Sequence, residues 1–216
     1  MNFRHFIVKY RIPVAVALIA LGFLIGFKVT WWIAWIPFLV AILMVVAYFL
    51  LGPMTLIQGY MERGDMEGAQ KLLEQIKYPD LLYKPIRSSY YMLQSNFSTM
   101  SDDLDKAEAQ LRKGLETGLP EKQHEGTAYF QLGTIALKKG NMKEASENLK
   151  KALQIGIDDK DSEAMAYLYL CQIYIQRRDY RNGKIYFNKA KSRKPTNVQV
   201  VEQIKEMSKY IARIPG

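Results

Sequence analysis

Over its first 52 residues the chain has no aspartate or glutamate, and across all 216 it has one cysteine and two histidines. Each shortage excludes something. With Cys171 alone, no intrachain disulfide can form, which suits a reducing compartment. His5, His124 and Cys171 are too few soft ligands for a structural zinc site, so neither a metal nor a cofactor is expected. No P-loop, GxGxxG, HExxH, Ser/His/Asp or Cys/His arrangement occurs, and glutamates such as Glu144 and Glu147 fall on exposed helical faces. Catalytic residues are not expected, and the chain does not read as an enzyme. The net charge of +9 does not argue for nucleic acid either. Four of the 30 bases, Arg4, Lys9, Arg11 and Lys28, lie in the acid-free segment, and the remaining 164 residues carry only a mild +5.

Two apolar stretches fill that segment. Ile12 to Phe27 is 16 residues without charge. It covers about 24 Å as a helix, and Lys9, Arg11 and Lys28 extend its reach by snorkelling. Trp31 to Leu51 adds 21 uncharged residues. This predicts a transmembrane hairpin over residues 1–52, with spans at 12–27 and 31–51. A cleaved signal peptide is the alternative for the first stretch, but the following residues offer no small-residue cleavage site. Neither terminus has a lipidation signal. Three bases precede the first span and one follows it. An integral membrane protein of a bacterial-type inner membrane is therefore expected, with its N-terminus and remaining chain cytoplasmic. Trp31, Trp32 and Trp35 at one end of the second span, and Tyr48 and Phe49 at the other, read as aromatic belts. Gly22 and Gly26 form a small-xxx-small pair, better explained by packing within the hairpin than by dimerisation. Pro37 predicts a kink. Neither span contains an Asp, Glu, His or Lys, so no ion pathway is indicated.

Beyond Gly52 the chain repeats itself every 38 residues. Ala69, Ala107, Ala145 and Gly183 keep this interval, as do Leu73, Leu111, Leu149 and Phe187. So do Met66, Leu104, Met142 and Tyr180, each preceded by Asp65, Asp103, Asn141 or Asp179. Small residues recur later in the units at Gly114, Ala152 and Ala190. This predicts two antiparallel helices per unit. The Asp or Asn caps the second helix, the small residue permits close approach, and the large one fills the groove. Each unit leaves an apolar face for its neighbour, which makes an α-solenoid.

These residues resemble the tetratricopeptide repeat family. Tyr129, Leu132, Gly133, Ala136, Gly140, Asn141, Ala145, Leu149 and Ala152 carry the resemblance in the third unit. Tyr167, Leu170, Cys171, Tyr174, Asp179, Tyr180, Gly183, Phe187, Ala190 and Pro195 carry it in the fourth. The second unit is degenerate: Tyr90, Leu93 and Phe97 fit only if its turn is one residue longer, and Gln94 replaces the usual glycine. The expected fold is all-α. The hairpin is followed by an array over residues 53–196, with units near 53–79, 86–118, 126–157 and 164–196, and by a capping helix at 197–213. The family interval is about 34 residues. The added turn is expected in longer helices or in linkers such as Asp158 to Asp161.

The resemblance implies an interaction module whose first helices line a groove. That lining would comprise Ser88, Tyr91, Met92 and Ser95; Thr127, Phe130, Gln131 and Thr134; and Met165, Leu168, Tyr169 and Gln172. None is charged, which argues against a carboxylate-clamping ligand and for a protein or peptide with apolar anchors. The plainer alternative is that Tyr91, Phe130 and Tyr169 pack between units. A basic block, Arg177, Arg178, Arg181, Lys184, Lys189, Lys191, Arg193 and Lys194, surrounds the fourth unit. It suits anionic lipid, an acidic partner or RNA, or is simply a solvated face. The sequence thus reads as a membrane-embedded scaffold that recruits a protein partner. The alternatives are an accessory subunit held through the hairpin and a peripheral lipid or nucleic-acid binder.

Overall fold

The computed structural model describes residues 11–28, 31–51, 54–119 and 121–214, with side chains described except at 11, 12, 24–28, 31–34, 45, 47–51, 55 and 123. Arg4, Lys9, the turn at 29–30 and the side chains of Trp31, Trp32, Tyr48 and Phe49 lie outside the described residues. Eleven α-helices occur among the described residues: α1 (Arg11–Lys28), α2 (Trp31–Leu51), α3 (Met54–Glu62), α4 (Met66–Glu74), α5 (Lys84–Met100), α6 (Leu104–Thr117), α7 (Lys122–Lys138), α8 (Met142–Ile155), α9 (Lys160–Gln176), α10 (Tyr180–Ser192) and α11 (Val198–Ile211). Contacts divide the chain into two compact units, Met1–Tyr90 and Tyr91–Gly216.

In the first unit α1 and α2 pair through small residues. Ala15 and Ala41 are buried, and Gly22 brings its backbone against the Phe38 ring, which meets Phe23 edge to face at 5.2 Å. The pair leaves large apolar side chains exposed, among them Val16, Phe23, Trp35, Ile42 and Leu43.

This arrangement does not support the expected transmembrane hairpin. Among the described residues no helix is long and apolar enough to cross a membrane. Arg11 and Lys28 bound α1 and leave about 24 Å of apolar rise, against about 30 Å of hydrocarbon. The integral-membrane placement, the cytoplasmic orientation and the membrane-embedded scaffold expected from that hairpin are not supported either.

The 38-residue interval governs the backbone as well as the side chains. First helices α5, α7, α9 and α11 start at Lys84, Lys122, Lys160 and Val198; second helices α4, α6, α8 and α10 start at Met66, Leu104, Met142 and Tyr180. Asp65, Asp103, Asn141 and Asp179 cap the second helices, accepting from the N–H groups of Gly68, Lys106, Glu144 and Asn182 at 2.8, 3.1, 3.3 and 3.1 Å. Each cap residue also donates its own N–H back to a carbonyl of the preceding helix, closing a Schellman-type turn: Asp65 to Tyr60, Asp103 to Ser98, Asn141 to Ala136 and Asp179 to Tyr174. The turn of the second repeat unit is the same turn, with no extra residue. That unit therefore follows the 38-residue register without the one-residue offset that its sequence suggested.

Helices α7 and α9 are each shared between two second helices. Ala107 and Leu111 of α6 pack with Ala128, Leu132 and Ile135 of α7. Ala145 and Leu149 of α8 pack with Ala166, Leu170 and Ile173 of α9. The other side of α9, Ala164, Leu168 and Cys171, packs on Phe187 and Ala190 of α10 and Val200 of α11. Burying one such leucine contributes roughly 1.5–3 kcal/mol, so the stacking itself holds the array together. The glycine at position 133 has a steric cause: a Cβ there would lie 2.7 Å from Leu149 Cγ. The residues beyond the family interval sit in long first helices. Helices α7 and α9 each run 17 residues, and the expected linker at Asp158–Asp161 instead starts α9, with Asp159 as its N-cap accepting from Ser162 N–H at 2.6 Å.

Helix α11 starts where a fifth unit would. Ala164, Tyr167, Leu168 and Cys171 are buried on α9. The residues 38 places on are Glu202, Lys205, Glu206 and Lys209, all exposed. The face of α11 that corresponds to the buried face of α9 is therefore charged.

Candidate functional site

Of the residues expected to line a groove, four are interior. Ser88, Tyr91, Ser95 and Leu168 are at most 8% exposed. Ser88 shares the register of Gly126 and Ala164, Tyr91 that of Tyr129 and Tyr167, and Ser95 that of Gly133 and Cys171. Met92, Thr127, Phe130, Gln131, Thr134, Met165 and Tyr169 are half-buried, and Gln172 is exposed. Phe130 and Tyr169 lie nearly parallel with ring centroids 6.3 Å apart, joining units three and four. Burial raises the Tyr169 phenol above its ordinary pKa, so it stays neutral and can donate a hydrogen bond. Gln131 Oε1 is buried without a hydrogen-bond donor. Thr134 donates to the Phe130 carbonyl at 3.0 Å, which fixes its rotamer.

Continuing the register adds a rung that sequence reasoning missed. Thirty-eight residues past Met165, Leu168, Tyr169 and Gln172 stand Gln203, Glu206, Met207 and Tyr210 on α11. The interval itself was the available signal. Between α9 and α11 lies an open cleft of about 370 Å³, lined by Gln172, Ile175, Gln176, Glu206, Met207 and Tyr210. The first-helix face therefore ends in a mostly apolar recess with two amides and one carboxylate at its rim.

The basic block is dispersed among intramolecular contacts. Arg193 pairs with Glu163 at 2.9 Å and lies over Tyr167. Lys189 lies over the Tyr167 and Tyr186 rings, and Lys191 over Phe187. Arg177 donates to the Met142 carbonyl and Lys184 to the Ile214 carbonyl. Arg178, Arg181 and Lys194 are exposed. Contact with anionic lipid finds no support in this arrangement. Among the described residues no group of His, Cys, Asp and Glu could hold a metal ion.

Residues 126–155 and 164–197 match the family model of the tetratricopeptide repeat. No curated protein matches the chain. Solved structures similar to it include BtubC (BKLC) from P. vanneervenii, with a TM-score of 0.52, 15% identity and coverage of 94% of this chain and 83% of that one. A second is the Cut9–Hcn1 hetero-tetramer of the APC/C, with a TM-score of 0.56, 14% identity and coverage of 94% and 44%. A third is a Signal Transduction ATPase with Numerous Domains with a tetratricopeptide repeat sensor, from Pyrococcus horikoshii (TM-score 0.51, 18% identity, coverage 96% and 34%). The chain thus spans less than half the length of the second and third. At these identities the likeness shows the fold: an all-α solenoid carrying tetratricopeptide repeats. Repeats of this kind are generally non-enzymatic scaffolds for protein interaction.

Proposed function

We propose that the chain is a protein-interaction scaffold whose first-helix face, from Met92 through Phe130, Gln131, Thr134, Tyr169 and Gln172 to Met207, holds a segment of a partner protein. One observation carries this reading: the same register positions recur through α7, α9 and α11 and, apart from the buried Leu168, are half-buried or exposed and uncharged until Glu206. Elsewhere the units show lysines, arginines and acids to solvent. Apolar and amide side chains beside an open cleft suit a peptide bound through apolar anchors and main-chain hydrogen bonds. Phe130 and Tyr169 serve a double role, packing between units and flooring the face.

The test is cross-linking mass spectrometry on the full chain in extract of its source, with Thr134→Arg and Gln172→Arg as inner-face variants and Lys151→Ala as an outer-face control. A partner held by wild type and by the control, and lost by both inner-face variants at unchanged circular dichroism, is the expected result. A partner retained by both arginine variants would refute the reading.

A further inference from the structure

The cleft between α9 and α11 has a chemistry that the rest of the face lacks. Its floor is Ile175 and Met207; its rim is Gln172, Gln176, Tyr210 and Glu206. About 370 Å³ is at the low end of clefts that hold ligands, a size suited to one or two side chains. Glu206 is the charged member of the lining. It stands 38 residues beyond Leu168 and is exposed while Leu168 is buried. The lysines nearest it in sequence, Lys205 and Lys209, occupy the register of Tyr167 and Cys171 rather than that of the cleft-lining Met207 and Tyr210.

From this geometry we infer that the cleft is a specificity pocket for a partner segment that inserts an aliphatic side chain over Ile175 and Met207 and sets a lysine or arginine against Glu206. The inference rests on the scaffold reading above and adds the identity of the anchor. Apolar burial supplies affinity, while the carboxylate selects a cationic neighbour and rejects an acidic one. The amides of Gln172 and Gln176 can pair with the segment's main chain.

The test uses the full chain, fluorescently labelled, against immobilised pools of short peptides with a fixed central pair, Leu-Lys, Leu-Glu or Ser-Lys, and randomised flanks. Wild type is expected to prefer Leu-Lys about fivefold over Leu-Glu and about tenfold over Ser-Lys. Glu206→Lys should reverse the first preference, and Gln176→Trp, an exposed rim residue that can fill the cleft, should abolish the second. Circular dichroism and melting temperature establish that both variants are folded. Absence of any preference among the pools, or a Leu-Lys preference that survives Glu206→Lys, overturns the pocket and leaves Glu206 as the charged end of a capped array. Thr134→Arg separates the two readings. If it abolishes all binding while Glu206→Lys changes nothing, the face stands and the pocket falls. If neither has an effect, the face falls as well.

Discussion

Lys151 holds its ammonium 4.0 Å from the centroid of the Tyr129 ring and donates to the Tyr129 hydroxyl at 2.6 Å. The same pairing recurs one interval on, between Lys189 and Tyr167 at 5.8 Å, and one interval back, between Lys113 and Tyr91 at 6.0 Å. In each unit the tyrosine lies on the first helix and the lysine on the second, so the contact latches the hairpin from outside. A cation over an aromatic face at an exposed site contributes about 0.5–1 kcal/mol. Lys151→Ala should therefore lower stability in urea by about that much, and Lys113→Ala, with the longer separation, by less. A double-mutant cycle with Tyr129→Leu isolates the pair. A coupling indistinguishable from zero would reduce the latch to coincidental neighbours.

That ladder also shows where the sequence could be read and where it could not. The columns at Ala145 and Leu149 were legible because residue size repeats there, and size is what helix approach constrains. The second repeat unit was not, because Ser88-Ser89 and Tyr90-Tyr91 are tandem pairs, and either member of each fits the family pattern. The backbone decides it: Tyr91 reaches Lys113 as Tyr129 reaches Lys151, so Ser95 takes the place of Gly133 and turns inward. The sequence pattern picked out the first-helix register positions on α7 and α9 but not those on α11, because Glu206 breaks the uncharged pattern there. The apolar runs at 12–27 and 31–51 are helical, but the transmembrane spans expected of them are not supported. Hydropathy alone, however, does not distinguish a helix bound for lipid from one bound for another apolar partner.

A chain of ion pairs crosses from unit two to unit three. Lys139 donates to Asp105 at 2.6 Å and to Glu108 at 2.9 Å; Arg112 donates to Glu108 at 2.8 Å and also reaches Glu144. The hydrogen bond from Lys139, and then that from Arg112, holds the Glu108 carboxyl below the usual carboxylate range. A depressed pKa means the folded state favours the charged form. The contribution is therefore whole above the unfolded value of about 4.3 and is lost as pH falls through the lower folded value. Glu108→Gln should cost about 1 kcal/mol near neutrality and progressively less in acid. Urea melts of both proteins at pH 7 and in acid measure this. A gap that persists undiminished in acid would mean that packing, not charge, sets it.

Cys171 lies wholly buried against Phe187 and Ala190, and burial pushes its thiol up to about 11. Here the folded state favours the neutral form. Stability is unaffected below the unfolded thiol value of about 8.5 and declines as pH rises from there towards the folded value. Two outcomes are expected. A thiol reagent at pH 8 should modify Cys171 only through unfolding, so its rate should track urea concentration. Cys171→Ala should lose less stability than wild type between pH 8 and 10. Rapid modification in buffer without denaturant would place the thiol nearer the surface than the packing against Phe187 allows.

The turns carry a cost that substitution can remove. Gly64, Asp102, Gly140 and Arg178 stand one interval apart and all have positive φ, at 75°, 60°, 77° and 62°. Each is the residue before an N-cap, where the chain must turn left-handed to close the Schellman-type hydrogen bonds. Glycine takes that conformation freely, aspartate tolerates it, and a long side chain such as arginine is held there at a cost of roughly 1–2 kcal/mol. Replacing arginine by glycine also loosens the unfolded chain, which offsets about 0.4–1 kcal/mol of the gain. Arg178→Gly should thus stabilise by several tenths of a kcal/mol. Asp102→Gly should gain less, and Gly140→Ala should lose about 1 kcal/mol. Melting temperatures of the three variants rank them directly. If Arg178→Gly melts below wild type, the arginine side chain supplies more to the turn between α9 and α10 than its backbone angle costs.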